Sequence, residues 1–178
     1  WQSVGFAESD ALRINVLTGV LSILACLAAV SLVDKIGRRP LLLIGSAGMA
    51  ITLGIMVLCF TSGTFQGGQL QLTPGTGKVA LVSAILYTML FNLSWGPVMW
   101  VMLGEMFPNQ IRGSALAVAG FAQWFANFLV SVSFPWMAAN IGLGVTYSFY
   151  ALSAAVSFFF VRAMVQETRG RELEQMTG

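Results

Sequence analysis

The sequence predicts an all-α membrane protein of five transmembrane helices, and three observations carry that prediction. Hydrophobic residues make up 57% of the 178-residue chain and charged residues 9%, whereas a soluble domain carries about 25% charged residues. The charges cluster, leaving uncharged intervals of 20 residues at 14–33, 38 at 40–77, 26 at 79–104 and 49 at 113–161. A bilayer core of about 30 Å takes about 20 helical residues, so the first and third intervals hold one span each. Proline and glycine then divide the rest. The second interval is one span followed by the polar stretch TSGTFQGGQLQLTPGTG, and the fourth, about 73 Å as a single helix, is expected to fold back where Pro135, Gly142 and Gly144 fall. The expected spans are 11–33, 41–61, 79–103, 113–134 and 143–162.

The first span carries a polar stripe, Asn15, Thr18, Ser22 and Cys26, at spacings that share one helix face. Such a stripe serves either as hydrogen-bonding glue between helices or as a cavity wall. Ser22 lies 12 residues before Asp34, about 18 Å along a helix and hence near mid-membrane. The turn Asp34-Lys35-Ile36-Gly37-Arg38-Arg39 follows. A positive anchor accounts for its basic residues but not for the acid at its head.

The second span, with Gly45, Gly48 and Gly54 and only Ser46 and Thr52 as hydroxyl residues, reads as scaffold, because small residues let helices approach closely. The third span breaks at Gly96-Pro97, where proline removes a backbone donor. Broken helices in membranes line protein or cavities, since lipid satisfies no freed carbonyl. Phe91 and Trp95 share a face with Asn92 beside them, and only a kink brings Trp100 to the same cavity as Phe91. Trp100 alternatively sits at headgroup level as an anchor. In the fourth span Gln123 and Asn127 stand one turn apart with Trp124 between them. Two amides and an indole are costly in lipid, so they face protein or water. They form a structural network or a site for a neutral polyhydroxylated ligand. The last span, its hydroxyl residues scattered over several faces, reads as scaffold.

Seven Lys and Arg residues (35, 38, 39, 112, 162, 169, 171) fall on one side of this arrangement and two (13, 78) on the other. Retained positive charge marks the cytoplasmic side, which places the turns at 34–39 and 104–112 and the C-terminus there. The chain starts at Trp1 on the outer side with an odd number of spans, and is expected to be the C-terminal part of a longer protein. Cys26 and Cys59 lie within spans as packing residues. There is no histidine, no acid pair within a span and no nucleophile with a base in reach, so an enzyme is not expected. No basic patch suggests nucleic acid.

VDKIGRRP, GPVMWVMLGEMFPNQIRG, AQWFAN and QETRGRELEQM, in this order, resemble the C-terminal half of the sugar porter family of the major facilitator superfamily. That family includes bacterial xylose and glucose proton symporters and animal facilitative glucose transporters. The resemblance implies that residues 1–178 are helices 8 to 12 of a twelve-helix fold, forming a partial C-terminal six-helix bundle with helix 7 and the N-terminal half outside the chain. It implies a monosaccharide, hexose or pentose, moved by alternating access in a multi-pass plasma-membrane protein, with a sugar sensor on the same scaffold as the alternative. It assigns Ser22, Phe91, Gly96, Trp100, Gln123, Trp124 and Asn127 to sugar binding. Asp34, Arg38, Arg39, Glu105, Arg112 and Glu167 become a cytoplasmic gate, with Glu105 paired to Arg38 or Arg39. Gln166 and Arg169 depart from the usual Pro-Glu-Thr-Lys-Gly tail. No cofactor or metal is expected, and no acid lies mid-span for a proton relay; proton symport and facilitated diffusion both stay open, and if the protein is a symporter its proton-carrying acid belongs to the missing half. The partners expected are the sugar, the bilayer and the rest of the same protein.

Overall fold

In a computed structural model, residues 8–66 and 69–169 are described, and they form six α-helices and one small hairpin. Five segments are long and apolar enough to cross a membrane: Ser9–Ile36, Arg38–Thr61, Pro74–Met106, Arg112–Asn140 and Leu143–Met164. Helix α1 (Glu8–Ile36) passes to α2 (Arg38–Thr61) through Gly37 alone. That residue has φ of 104°, a conformation glycine adopts without steric cost.

The polar stretch after α2 is more ordered than a loop. Strands β1 (Thr64–Gln66) and β2 (Gln69–Gln71) pair antiparallel, with Phe65 opposite Leu70. Leu70 is buried against Leu53, Met56, Cys59, Phe60 and Ala80, so an apolar side chain within a polar run anchors the hairpin. Helix α3 (Pro74–Leu93) then begins before the expected boundary. Its first position is Pro74, whose missing N–H costs nothing there. Thr73 supplies the cap, its hydroxyl accepting from the Thr76 N–H.

The third span is broken as expected, into α3 and α4 (Pro97–Met106). Proline does not break the fourth. Helix α5 (Arg112–Asn140) runs through Pro135, correcting the expected end at 134. The chain turns at Gly142, with φ of 92°, into α6 (Leu143–Met164). One missing backbone bond inside a long apolar helix is tolerable where neighbours compensate, whereas a reversal needs a conformation proline cannot supply.

Helix α2 is the centre of the packing, with α3 on one flank and α6 on the other. Leu41 and Leu42 meet Val33, Val98, Met102, Val161 and Val165 near one end, and Phe60 meets the hairpin near the other. Lipid tails are as apolar as these side chains, so close packing rather than water exclusion holds the helices together. Gly45, Gly48 and Gly144 accordingly sit where a methyl group would strike Ser94, Leu90 and Thr61. Helix α5 stands apart and has no buried residue.

Candidate functional site

The polar face of α5 and the tryptophan of α4 form the first group. A methyl group on Gly120 would lie 3.6 Å from Trp100 Cη2, so the indole rests against α5 at that glycine. Gly120, Gln123 and Asn127 follow at helical spacing on the same face, which puts Trp100 one turn from Gln123 and two turns from Asn127. Trp100 is 37% exposed, and the Gln123 Oε1 atom is buried without a hydrogen-bond partner among the described residues. Asn127 is exposed beside it, and Trp124 lies on an adjoining face. Two amides able to donate and accept, next to an indole plane, suit hydroxyl groups above an apolar C–H surface.

Two other expected site residues lie elsewhere. Ser22 is half-buried on α1, where its hydroxyl donates 2.8 Å to the Thr18 carbonyl and only its lone pairs remain available. Phe91 lines a cavity of about 230 Å³ with Trp95, Tyr87 and residues of α2 and α6, to which α5 contributes nothing. The kink at Gly96 therefore turns Trp100 toward the amides without bringing Phe91 to them. A larger cavity, about 520 Å³, lies between α2, α3, α5 and α6 and is apolar apart from Tyr87, Tyr147, Tyr150 and Thr88.

The second group gathers at the end where α1, α2, α4 and α6 converge. Arg38 is its hub. Its guanidinium binds Glu105 in a fork, Nε to Oε2 at 3.0 Å and Nη2 to Oε1 at 2.6 Å. Nη2 also pairs with Asp34 at 2.8 Å, and Nη1 donates to the Val33 carbonyl at 3.2 Å. The Thr168 hydroxyl donates 2.6 Å to Glu105 Oε2. Of the two arginines expected to reach Glu105, then, Arg38 does so. Arg39 instead donates through Nη2 to the Arg162 carbonyl at 2.7 Å.

Arg112 departs from the expected cluster. After α4 ends at Phe107, the turn at Pro108 accepts the Ile111 and Arg112 amides, folding Arg112 back so that its Nε donates 3.3 Å to the Phe107 carbonyl. It makes no ion pair among the described residues, and its Nη2 is buried unpartnered.

Glu167 does something its charge alone did not announce. Helix α2 has no side-chain cap of its own, and Glu167 supplies one from 129 positions away: Oε1 accepts from the Arg38 N–H at 2.9 Å and Oε2 from the Arg39 N–H at 3.1 Å. A carboxylate on a helix N-terminus satisfies orphan donors and faces the positive end of the macrodipole. Gly37 is required here too, because a methyl group on it would lie 2.6 Å from Glu167 Oε2. Arg169 Nη1 adds a bond of 2.5 Å to the Lys35 carbonyl. The signal in the sequence was Gly37 followed by two residues with no capping side chain, but the identity of the cap was not readable there.

Burial alone would raise the Glu167 carboxyl, yet the backbone donors of Arg38, Arg169, Arg39 and Thr168 outweigh it and hold the group below its ordinary value. A depressed carboxylate stabilises the docked tail fully above the unperturbed pKa, and that contribution is lost as pH falls through the depressed value. Protection of the Arg38 and Arg39 amides from hydrogen exchange, corrected for intrinsic rates, should therefore be level from pH 7 to 5 and fall at more acidic pH. Glu167→Gln should lower it at neutral pH by about 0.5 to 2 kcal/mol, the worth of a charge at a helix terminus. Equal protection in parent and variant would show that the carboxylate does not hold the tail.

The profile of the "Sugar (and other) transporter" family matches residues 1–178. A glucose transport protein of Synechocystis is 53% identical over 176 residues, covering 99% of this chain and 38% of the relative. The D-xylose-proton symporter of Escherichia coli K12 is 38% identical over 182 residues, covering 99% of this chain and 35% of the relative. Among solved structures, the proton:xylose symporter XylE bound to 6-bromo-6-deoxy-D-glucose superposes with a TM-score of 0.82 at 37% identity, over 99% of this chain and 36% of that one. The inward-open xylose transporter XylE from E. coli does so with a TM-score of 0.81 at 39% identity, over 98% and 38%. The chain thus spans little more than a third of the length of these relatives.

Proposed function

This chain belongs to the sugar transporter family of the major facilitator superfamily, and on that premise we propose that its protein moves a monosaccharide, a hexose or pentose, across the membrane by alternating access. The observation that carries the proposal is the face where Trp100 lies one turn from Gln123 and two from Asn127, with the Gln123 Oε1 atom buried and without a partner among the described residues. A sugar hydroxyl supplies the donor that this oxygen lacks, while the indole covers a C–H face of the ring. The glucose and xylose named for its relatives set the substrate class.

In this reading the rest of the site comes from protein outside the chain, since the relatives are much longer. The two helical bundles rock about the site. The Arg38–Glu105–Asp34–Thr168 cluster closes the cytoplasmic side, where the C-terminus also lies. The described spans carry no acid at mid-membrane, so if transport is proton-coupled the acid that carries the proton lies outside this chain, and no cofactor takes part. The setting is the plasma membrane.

The test is uptake of labelled glucose and xylose by the full-length protein in proteoliposomes, with and without an imposed pH gradient. Saturable uptake of one of them is expected. Saturable binding with no uptake would make the protein a sugar sensor, and the absence of both would remove the sugar assignment.

A further inference from the structure

The break between α3 and α4 is fastened to α2 at three points. Ser94, 1% exposed, is so close to α2 that a methyl group on Gly45 would fall 1.8 Å from its Oγ. One turn earlier, a methyl group on Gly48 would fall 2.6 Å from Leu90 Cδ1. Between these contacts Trp95 Nε1 donates 2.9 Å to the Oγ of Ser46, a residue with no exposed surface. An indole N–H inside a membrane bundle has few other acceptors, so this bond selects one orientation of the ring.

The backbone at the same place is poorly joined. The Gly96 N–H reaches back to the Phe91 carbonyl at 2.9 Å rather than to Asn92, and Pro97 has no N–H to offer Leu93. Two successive bonds that would align α4 with α3 are therefore missing. The Val98 N–H still bonds the Ser94 carbonyl at 3.0 Å across the break, so the backbone joins the helices with a gap of two α-helical bonds, and Trp95, which bonds Ser46 of α2, is the residue nearest that gap that bonds another helix. Trp100 follows five residues later with its ring on Gly120.

We infer that Trp95, through its hydrogen bond to Ser46, is a positioning residue that fixes the direction of α4 and thereby sets Trp100 against the Gln123 and Asn127 face. Ser46, in the packed middle of α2, becomes part of the support of the site. This rests on the sugar-site reading above.

The experiment uses the full-length protein with Ser46→Ala, Trp95→Phe and the two combined. Thr52→Ala serves as comparison, since Thr52 is also buried on α2 but its hydroxyl bonds only the Gly48 and Met49 carbonyls of the same helix. Each single change should raise KM for the transported sugar by about fivefold, the worth of one hydrogen bond, with kcat within about twofold. The double variant should be no worse than the worse single one, because both remove the same bond. Thr52→Ala should leave KM unchanged even where it lowers thermal stability. A cysteine at Gly120, in a background lacking Cys26 and Cys59, should react faster with a thiol reagent once Trp95→Phe lets the Trp100 ring leave it. Unchanged KM in folded Ser46→Ala and Trp95→Phe, additive effects in the double variant, or equal labelling at position 120 would each overturn the inference. If the parent binds no monosaccharide, the sugar-site reading fails, and the labelling comparison by itself decides whether Trp95 sets Trp100.

Discussion

Gln123→Ala is expected to weaken monosaccharide binding to the full-length protein by about five- to a hundredfold, which corresponds to losing one partner of a buried hydrogen-bonded set, about 1 to 3 kcal/mol. Its Oε1 atom is buried and has no partner among the described residues, so on this reading desolvation of that oxygen precedes sugar binding. Alanine removes the burden together with the site. Thermal stability without sugar should consequently stay level or rise slightly, while stabilisation by added sugar shrinks. Trp100→Ala should lower affinity over a similar range, and it should also open a gap beside Gly120. The measurements are equilibrium sugar binding and the melting temperature with and without sugar. Unchanged affinity in both variants would remove this face from the site.

Arg38→Met should act in the opposite way, on stability first. The Arg38 side chain is 10% exposed and holds Glu105, itself 29% exposed, in a two-bond fork. Removing one member of a buried pair costs about 3 to 5 kcal/mol because the other charge stays desolvated; water reaching Glu105 brings the expectation here to about 2 to 3 kcal/mol. The melting temperature of the full-length protein should drop by several degrees. Arg38→Met combined with Glu105→Leu should recover much of the loss, since apolar replacement of both partners leaves no stranded charge. Failure of the second change to recover stability would mean that Arg38 acts through packing and its bonds to Asp34 and Val33 instead. The milder Glu105→Gln, which keeps an acceptor for Thr168, tests the gate. It should favour the inward-open state and speed labelling of Gly120→Cys, on the face beside Trp100, by impermeant reagents from the cytoplasmic side. Equal labelling in parent and variant would leave the cluster an anchor for helix ends and nothing more.

The two groups differ in how legible they were. Gln123 and Asn127 announce themselves because amides a turn apart in an uncharged span have no inexpensive place in lipid. Gly96-Pro97 announces the break because proline has no N–H anywhere. Pro135 shows the limit of the same rule: it lies inside α5, and the reversal comes at Gly142. Proline states which bond is lost and not whether neighbours absorb the loss. The hairpin at 64–71 was hidden in a polar run, since its apolar anchors are only Leu70 and, two residues on, Leu72, too short an alternation to mark a strand.

By itself the sequence determined the number of spans and which side chains are costly in lipid, because each follows from the cost of placing one residue in one medium. Only the tertiary structure decided that Arg38 rather than Arg39 takes Glu105, that Arg112 turns away from it, that Glu167 caps α2 and that Trp95 bonds Ser46 while Trp100 reaches Gly120. These are pairings between residues up to 129 positions apart, and residue type alone does not choose between Arg38 and Arg39 as the partner of Glu105. The choice falls to the angle and register at which helices pack, and those are set by small residues such as Gly45 and Gly120 that carry no polar signal of their own.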